Sequence, residues 1–380
     1  MSAGVVIAHD YLTQRGGAER VVLSLLRAFP GARVVTSVYD PENTFPEFAD
    51  YDIQTSWLNR VRPLRRDPRR ALPFLASAFS GLEIRDAEVV IASSSGWAHA
   101  VKTGDIPKIV YCHNPPRWLH QRQDYFAGQP RHARFAGGVL HRRLVRWDQM
   151  AASTATAYVA NSSVVRERIL SAYGIDADVI APPFGIDPSG PQEPVPGVQP
   201  GFLLTVSRNR GYKNTSVVCE AVEQLPAERL VVVGGLPARE YGSDWSPRLT
   251  GATDVSDAQL RWLYANCAAL VAMSHEDFGL TPIEANAFGR PAVCLRAGGY
   301  LDTLRPGRTG VFAHALTVEA TVDAIKRVQG AEWSSAAIAS HAERYSPAVF
   351  ASRLRSLADE VRAERIPVAA ATDLTVTSAA

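Results

Sequence analysis

Two carboxylates, Glu276 and Glu284, stand eight residues apart in the segment SHEDFGLTPIEANAFG, Ser274–Gly289. The segment follows the apolar run Leu270–Met273 and carries the chemistry of a helix start. Thr281 reads as an N-cap, Pro282 as the first helical residue, and Glu284 as the distal member of a capping box. The backbone N–H groups around Phe278, Gly279, Leu280 and Thr281 would then leave a helix N-terminus at a strand end, a place suited to phosphate. Glu276 on the same loop could hold a ligand hydroxyl. Each carboxylate also has a plainer reading: Glu284 as a cap of its own helix, Glu276 as a solvated loop residue.

Three further segments follow apolar runs in the same way. In TVSRNRGYKN, Thr205–Asn214, Arg208 and Lys213 flank Gly211, and a turn there could bring both cations onto one diphosphate. In DYLTQRGGAER, Asp10–Arg20, the pair Gly16–Gly17 precedes a helical pattern of Val21, Val22, Leu25, Leu26 and Phe29. Glycines there permit a ligand close to the backbone, or simply a tight turn. In YCHNPPRWLH, Tyr111–His120, His113 precedes Asn114-Pro115-Pro116, so its side chain sits on a stiff loop at a strand end. The DxD pattern Asp176-Ala177-Asp178 has no supporting carboxylates and is discounted as a metal site. Zinc-protease, serine-hydrolase and P-loop signatures are absent.

The elements that must position these residues are short runs rich in Val and Ile. They are Val5–Ala8, Val34–Val38, Val89–Ala92, Ile109–Cys112, Ala157–Ala160 and Val179–Ala181, then Phe202–Val206, Leu230–Val233, Leu270–Met273 and Ala292–Leu295. Continuous apolar strands are buried on both faces and imply parallel sheets covered by helices, an α/β doubly wound class. The stretch PPFGIDPSGPQEPVPGVQPG, Pro182–Gly201, has no periodicity and separates the two sets. The expected domains are residues 1–184, a linker at 185–200, residues 201–345, a helix at 346–366 and a flexible tail at 367–380.

Bulk properties agree. A chain of 380 residues suits two domains of roughly 150–200 residues. Net charge is +2, so no whole-molecule field draws it to nucleic acid. No apolar stretch is long enough to span a bilayer, and the N-terminal apolar run is too short for a signal peptide. The four cysteines lack zinc or redox spacing and read as reduced core thiols of a cytoplasmic protein. Charge is locally uneven. Arg60, Arg62, Arg65, Arg66, Arg69 and Arg70 stand against Asp67 alone, and a second arginine run extends from Arg117 to Arg146, with aromatics interleaved. That face reads as solvated surface or as contact with anionic lipid headgroups.

Taken in order, GGAER, SSSGWA at Ser93–Ala98, the His113 loop, SRNRGYKN, GATDVSDAQLRWLYANC at Gly251–Cys267 and HEDFGLTPIEANAFGRPAV span nearly the whole chain. This ordered set resembles family 4 of the retaining glycosyltransferases, with Glu276 and Glu284 as its E-x7-E signature. The resemblance implies the GT-B fold, two doubly wound Rossmann-like domains facing a central cleft, the C-terminal helix returning to the first domain. It implies that Arg208 and Lys213 grip the donor diphosphate. The Phe278–Thr281 amides would meet sugar and β-phosphate, Glu284 the ribose, and Glu276 the transferred sugar. Gly16 and Gly17 would contact phosphate, and His113 would sit by sugar and acceptor. No metal or other cofactor is implied. YCHNPPRW and SSSGWA look most like mannosyltransferases of bacterial O-antigen and exopolysaccharide synthesis. The expected function is therefore transfer of a hexose, mannose from GDP-mannose, to a saccharide or lipid-linked acceptor at the inner face of the membrane. A UDP- or dTDP-sugar donor, a nucleotide-sugar 2-epimerase and a non-catalytic sugar-nucleotide-binding protein are the alternatives.

Overall fold

The computed structural model of the chain describes residues 3–66, 68–121, 138–207, 213–238 and 244–364. It divides into two compact units. The first comprises the chain up to Ala160, Val165–Ile180, and the residues from Ala351 on; the second comprises Asn161–Val164 and Ala181–Phe350.

The first unit holds a seven-stranded parallel sheet: β1 Ala3–His9, β2 Arg33–Thr36, β3 Ile53–Thr55, β4 Ala87–Ser94, β5 Lys108–Cys112, β6 Ala157–Ala160 and β7 Asp178–Val179. Their order is β3-β2-β1-β4-β5-β6-β7. The register pairs His9 with Ser93 across β1 and β4, and Ser93 with Tyr111 across β4 and β5. Val6, Ile7, Val90 and Ile91 are wholly buried, as central strands covered on both faces require. The helix Gly17–Ala28 buries Val21, Val22, Leu25 and Leu26, a 3.6-residue stripe.

The second unit holds a six-stranded parallel sheet: β8 Phe202–Val206, β9 Leu230–Val233, β10 Leu249–Ala252, β11 Cys267–Ala272, β12 Ala292–Leu295 and β13 Gly310–Ala313. Their order is β10-β9-β8-β11-β12-β13. In each sheet the chain reverses its direction of winding once, between β1 and β4 and between β8 and β11. Helices leave to opposite sides there, so the carboxyl ends of those strands are where an open α/β sheet receives a ligand. The α/β doubly wound expectation holds. Strands β3, β10 and β13 were not anticipated.

The last helix, Pro347–Ala363, gives the first unit its residues from Ala351 onward. Leu354, Ala358 and Val361 are buried in that unit. Arg355 Nε donates to the Ala28 carbonyl at 2.6 Å, closing the end of the first helix, and Arg362 reaches the Gly4 carbonyl and Glu88. Val349, in the first turn of this helix, is exposed. All four cysteines are buried free thiols. Burial pushes Cys219 and Cys267 up to about 12, which keeps them protonated and unreactive. Because Leu354 is wholly buried, Leu354→Ala should cost about 2–4 kcal/mol, read as a lowered thermal or urea midpoint; an unchanged midpoint would show that this helix is dispensable to the first unit.

Candidate active site

In the second unit the β8 and β11 ends converge. Lys213, six residues past Ser207, extends its Nζ to Glu276 Oε1 at 2.7 Å. Ser274 Oγ donates to the same oxygen at 2.7 Å and lies 2.8 Å from the Tyr300 hydroxyl. Lys213 and Glu276 are each just under one-fifth exposed, so the pair is neither dry nor freely solvated. Asn214 adopts φ 52° and donates from Nδ2 to the Met273 carbonyl at 2.9 Å, tying the β8 loop to the β11 end. A cation and a carboxylate are thereby held at one strand-end site. An incoming polyanion would compete with Glu276 for Lys213 and release the carboxylate for hydroxyl groups.

The helix after β11 runs Leu280–Ala287, and its start differs from the sequence expectation. Gly279, not Thr281, is the N-cap, at φ 88° and ψ 76°, and no side chain caps the helix. Pro282 accordingly lies past the first helical position, and there is no capping box. The reason lies in burial: Glu284 turns inward and accepts from the Tyr264 hydroxyl at 2.7 Å. Gly279 suits its place on two counts. Its φ is in the left-handed region, and a Cβ there would lie 2.4–2.5 Å from the Tyr300 ring. Gly298 and Gly299 perform a related service for the preceding loop. A Cβ at either would meet the Glu276–Phe278 backbone at 2.3 Å, and Gly299 N–H bonds the Glu276 carbonyl at 2.9 Å.

In the first unit the motifs SSSGWA and YCHNPPRW meet side by side. His113 Nε2 lies 2.8 Å from Ser93 Oγ, and Ser93 O and Oγ lie 3.0 and 3.1 Å from His9 Nδ1. The Gly96 Cα packs so closely on Pro116 that a Cβ would lie 2.7 Å from its ring, and Trp97 stacks on Trp118 at 5.1 Å. The loop between is fixed by Asp10. Its buried carboxylate accepts from the amides of Ser95, Trp97 and Ala98 at 2.6, 3.1 and 2.7 Å. Burial, with the neighbouring His9 ring, pushes the His113 pKa down to about 3, so the ring is neutral at ordinary pH. At Gly16 and Gly17 the helix Gly17–Ala28 begins with Gly16 as N-cap. The buried Glu19 carboxylate folds over Gly16 and accepts from Gln14 Nε2 at 3.0 Å.

Comparison with known proteins decides the family. Residues 15–189 match the family model described as Glycosyltransferase Family 4, and residues 191–344 match Glycosyl transferases group 1. The chain belongs to glycosyltransferase family 4. The human alpha-1,3/1,6-mannosyltransferase ALG2 is 24% identical over 344 residues, covering 78% of this chain and 80% of that protein. The D-inositol 3-phosphate glycosyltransferase of Mycobacterium tuberculosis (strain ATCC 25177 / H37Ra) is 28% identical over 201 residues, 47% of this chain and 42% of that one. Among solved structures, Anabaena HepE in complex with UDP-glucose superposes with a TM-score of 0.64 at 18% identity, covering 94% of this chain and 99% of that one. Sucrose-phosphate synthase from Thermosynechococcus elongatus gives 0.67 at 17%, covering 95% and 100%.

In this glycosyltransferase, then, the structure brings Lys213 and Glu276 together, buries Glu284 against Tyr264, and builds His113 into a cluster in the first unit. Arg208 lies outside the described residues. Ser274, Tyr300, Gly298 and Gly299 were not singled out from the sequence. The Gly-Gly pair before a short helix after β12 was the available signal, being the same pattern as Gly16–Gly17. The Asp176 half of the DxD pattern is held by Arg166, at 2.7 and 3.0 Å.

Two measurements follow from these environments. Gly279→Ala should destabilise the chain by about 1–3 kcal/mol and weaken nucleotide binding, since both φ and the Tyr300 ring oppose a Cβ; thermal unfolding with and without nucleotide reads both effects. His113 binds its proton in the unfolded chain near pH 6.5 but resists it in the folded chain until about pH 3. The unfolded state therefore holds more protons between those values, and stability falls as pH falls through that window. His113→Gln should flatten that part of a stability-versus-pH curve measured by urea unfolding.

Proposed function

We propose that this glycosyltransferase transfers mannose from GDP-mannose to a saccharide or lipid-linked acceptor, with retention of configuration and without a metal ion. The observation that carries the reading is the Lys213–Glu276 pair at the β8 and β11 ends, beside the start of the helix Leu280–Ala287. Lys213 exchanges Glu276 for the donor diphosphate, joined by Arg208 and by the Gly279, Leu280 and Thr281 amides. Phe278, buried behind that loop, holds the turn. Glu276, released, accepts from hydroxyls of the sugar, and Glu284 takes the ribose. From the first unit Gly16 and Gly17 contact phosphate, and His113 serves the sugar and acceptor. The departing diphosphate oxygen takes the acceptor's proton as the new bond forms on the same face. Similarity to a mannosyltransferase over most of its length supports the sugar. In the DxD pattern Asp176 is already paired with Arg166, at 2.7 and 3.0 Å.

Turnover with GDP-mannose, UDP-glucose and dTDP-glucose as donors, followed by NMR of the product's anomeric proton, tests this. GDP-mannose should be preferred and the product should keep the donor's configuration; an inverted anomer sinks the mechanism. Lys213→Ala and Glu276→Ala should each lower kcat/KM about 100-fold or more, roughly 3 kcal/mol of barrier. Near-normal turnover in both would remove the site from the reaction.

The acceptor's lipid is approached, on this reading, through the first unit. Trp57 and Phe74 are 47% and 43% exposed and meet edge to face at 6.1 Å. Arg60, Arg62 and Arg70, nearby in the sequence, are exposed. No helix among the described residues is long and apolar enough to cross a membrane, so the proposed contact is peripheral, at an anionic lipid surface. Trp57→Ala with Phe74→Ala should reduce co-sedimentation with anionic vesicles severalfold; retention at wild-type levels would rule that surface out.

A further inference from the structure

The carboxyl ends of β1, β4 and β5 carry a chain of three polar side chains whose proton positions can be worked out. His9 and Ser93 are buried, at 2% and 0% exposure. His9 Nδ1 lies 3.0 Å from the Ser93 carbonyl oxygen, which can only accept. His9 Nδ1 therefore carries a proton, which it shares with Ser93 Oγ at 3.1 Å. The Ser93 hydroxyl cannot return its own proton to an already protonated nitrogen. Its other described partner is His113 Nε2, at 2.8 Å. If His113 donated here instead, the wholly buried hydroxyl proton would lack an acceptor, which buried hydroxyls avoid.

The hydroxyl therefore donates to His113 Nε2, and the neutral imidazole keeps its proton on Nδ1. The ring also meets the Tyr111 ring, 5.4 Å away at 71°, and the His9 ring, 6.5 Å away at 89°. The His113 amide is also fixed, donating to the Ser94 carbonyl at 2.8 Å. Orientation and tautomer are thus set from two neighbouring strands.

We propose that His9 and Ser93 are positioning residues that hold His113 as the Nδ1–H tautomer, so that it meets the substrate as a hydrogen-bond donor and not as a proton acceptor. The proposal rests on the reading above that His113 serves sugar and acceptor. It assigns a direction to that contact: His113 supplies a donor to a substrate oxygen, and the acceptor hydroxyl's proton goes elsewhere. A neutral donor of this kind needs no change of protonation during transfer.

Chain labelled with ring-15N histidine, observed by long-range 15N–1H correlation, tests this, with His113 assigned by loss of its signals in His113→Gln. The wild-type ring should show a protonated Nδ1 and a bare Nε2. Ser93→Ala should convert it to a mixture or to the Nε2–H form, and Ser93→Thr, which keeps the hydroxyl, should restore it. His9→Asn should preserve the tautomer through its amide N–H, whereas His9→Leu should not. In transfer assays Ser93→Ala should lower kcat about 10–100-fold with little change in KM, and Ser93→Thr should recover most of it. A wild-type Nε2–H ring, or an unchanged tautomer in Ser93→Ala, overturns the proposal. So does normal kcat in a Ser93→Ala chain whose tautomer has changed. The spectra need no donor or acceptor, so a failure to transfer mannose leaves the tautomer result separately visible.

Discussion

A parallel sheet covered by helices leaves few places for chemistry. Both faces are dry, every crossover must pass over one face or the other, and only the carboxyl ends of the strands open onto a ligand where the crossovers part. This constraint organises each unit here. In the first, the parting at β1 and β4 brings His9 and Ser93 into register and His113 beside them. In the second, the parting at β8 and β11 brings Lys213 to Glu276. Residues separated by 63 positions in one case and 84 in the other become hydrogen-bonded neighbours because the strands that end beside them are neighbours.

The two sites use charge differently. The second unit keeps an ion pair only partly withdrawn from water, where a polyanion can displace one partner. The first unit keeps its acid deep. Asp10 spends its carboxylate on three backbone amides and so converts a loop of small residues into a fixed platform for Ser93 and Gly96. Lys108 does comparable work below: wholly buried, it donates to the His99 and Val101 carbonyls and to Thr154, and burial lowers its pKa to about 8. Asp148, also buried, is held below the usual carboxylate range: burial alone would raise it, but His120 and His99 outweigh that.

The strong apolar runs announced ten of the thirteen described strands, most of them central strands that must be Val- and Ile-rich on both faces. The three that escaped notice are of a different kind. β3 reads Ile-Gln-Thr and β10 Leu-Thr-Gly-Ala, both edge strands with one side open, and β13 begins with a glycine. Edge positions relax the demand for continuous hydrophobicity, so composition falls silent there. At the site, Glu276, Lys213 and the glycines could be read locally, since loop chemistry depends on residue type. The cap of the helix Leu280–Ala287 could not. Thr281 and Glu284 satisfy the local rule, but Tyr264, twenty positions away, offers Glu284 a buried hydroxyl that the rule does not see. His9 was invisible, and Ser93 legible only as part of SSSGWA, for the same reason: their significance comes from register.

The helix Pro347–Ala363 gives the first unit a peculiar schedule. That unit is discontinuous in the chain, for the residues of the helix that seal Gly4 and Ala28 come after everything that makes up the second unit. During vectorial synthesis the second unit has all of its residues in hand while the first still waits for its last piece. The nascent β1 and first helix must therefore persist with an uncovered flank until this helix emerges, so a unit begun before the second is completed after it.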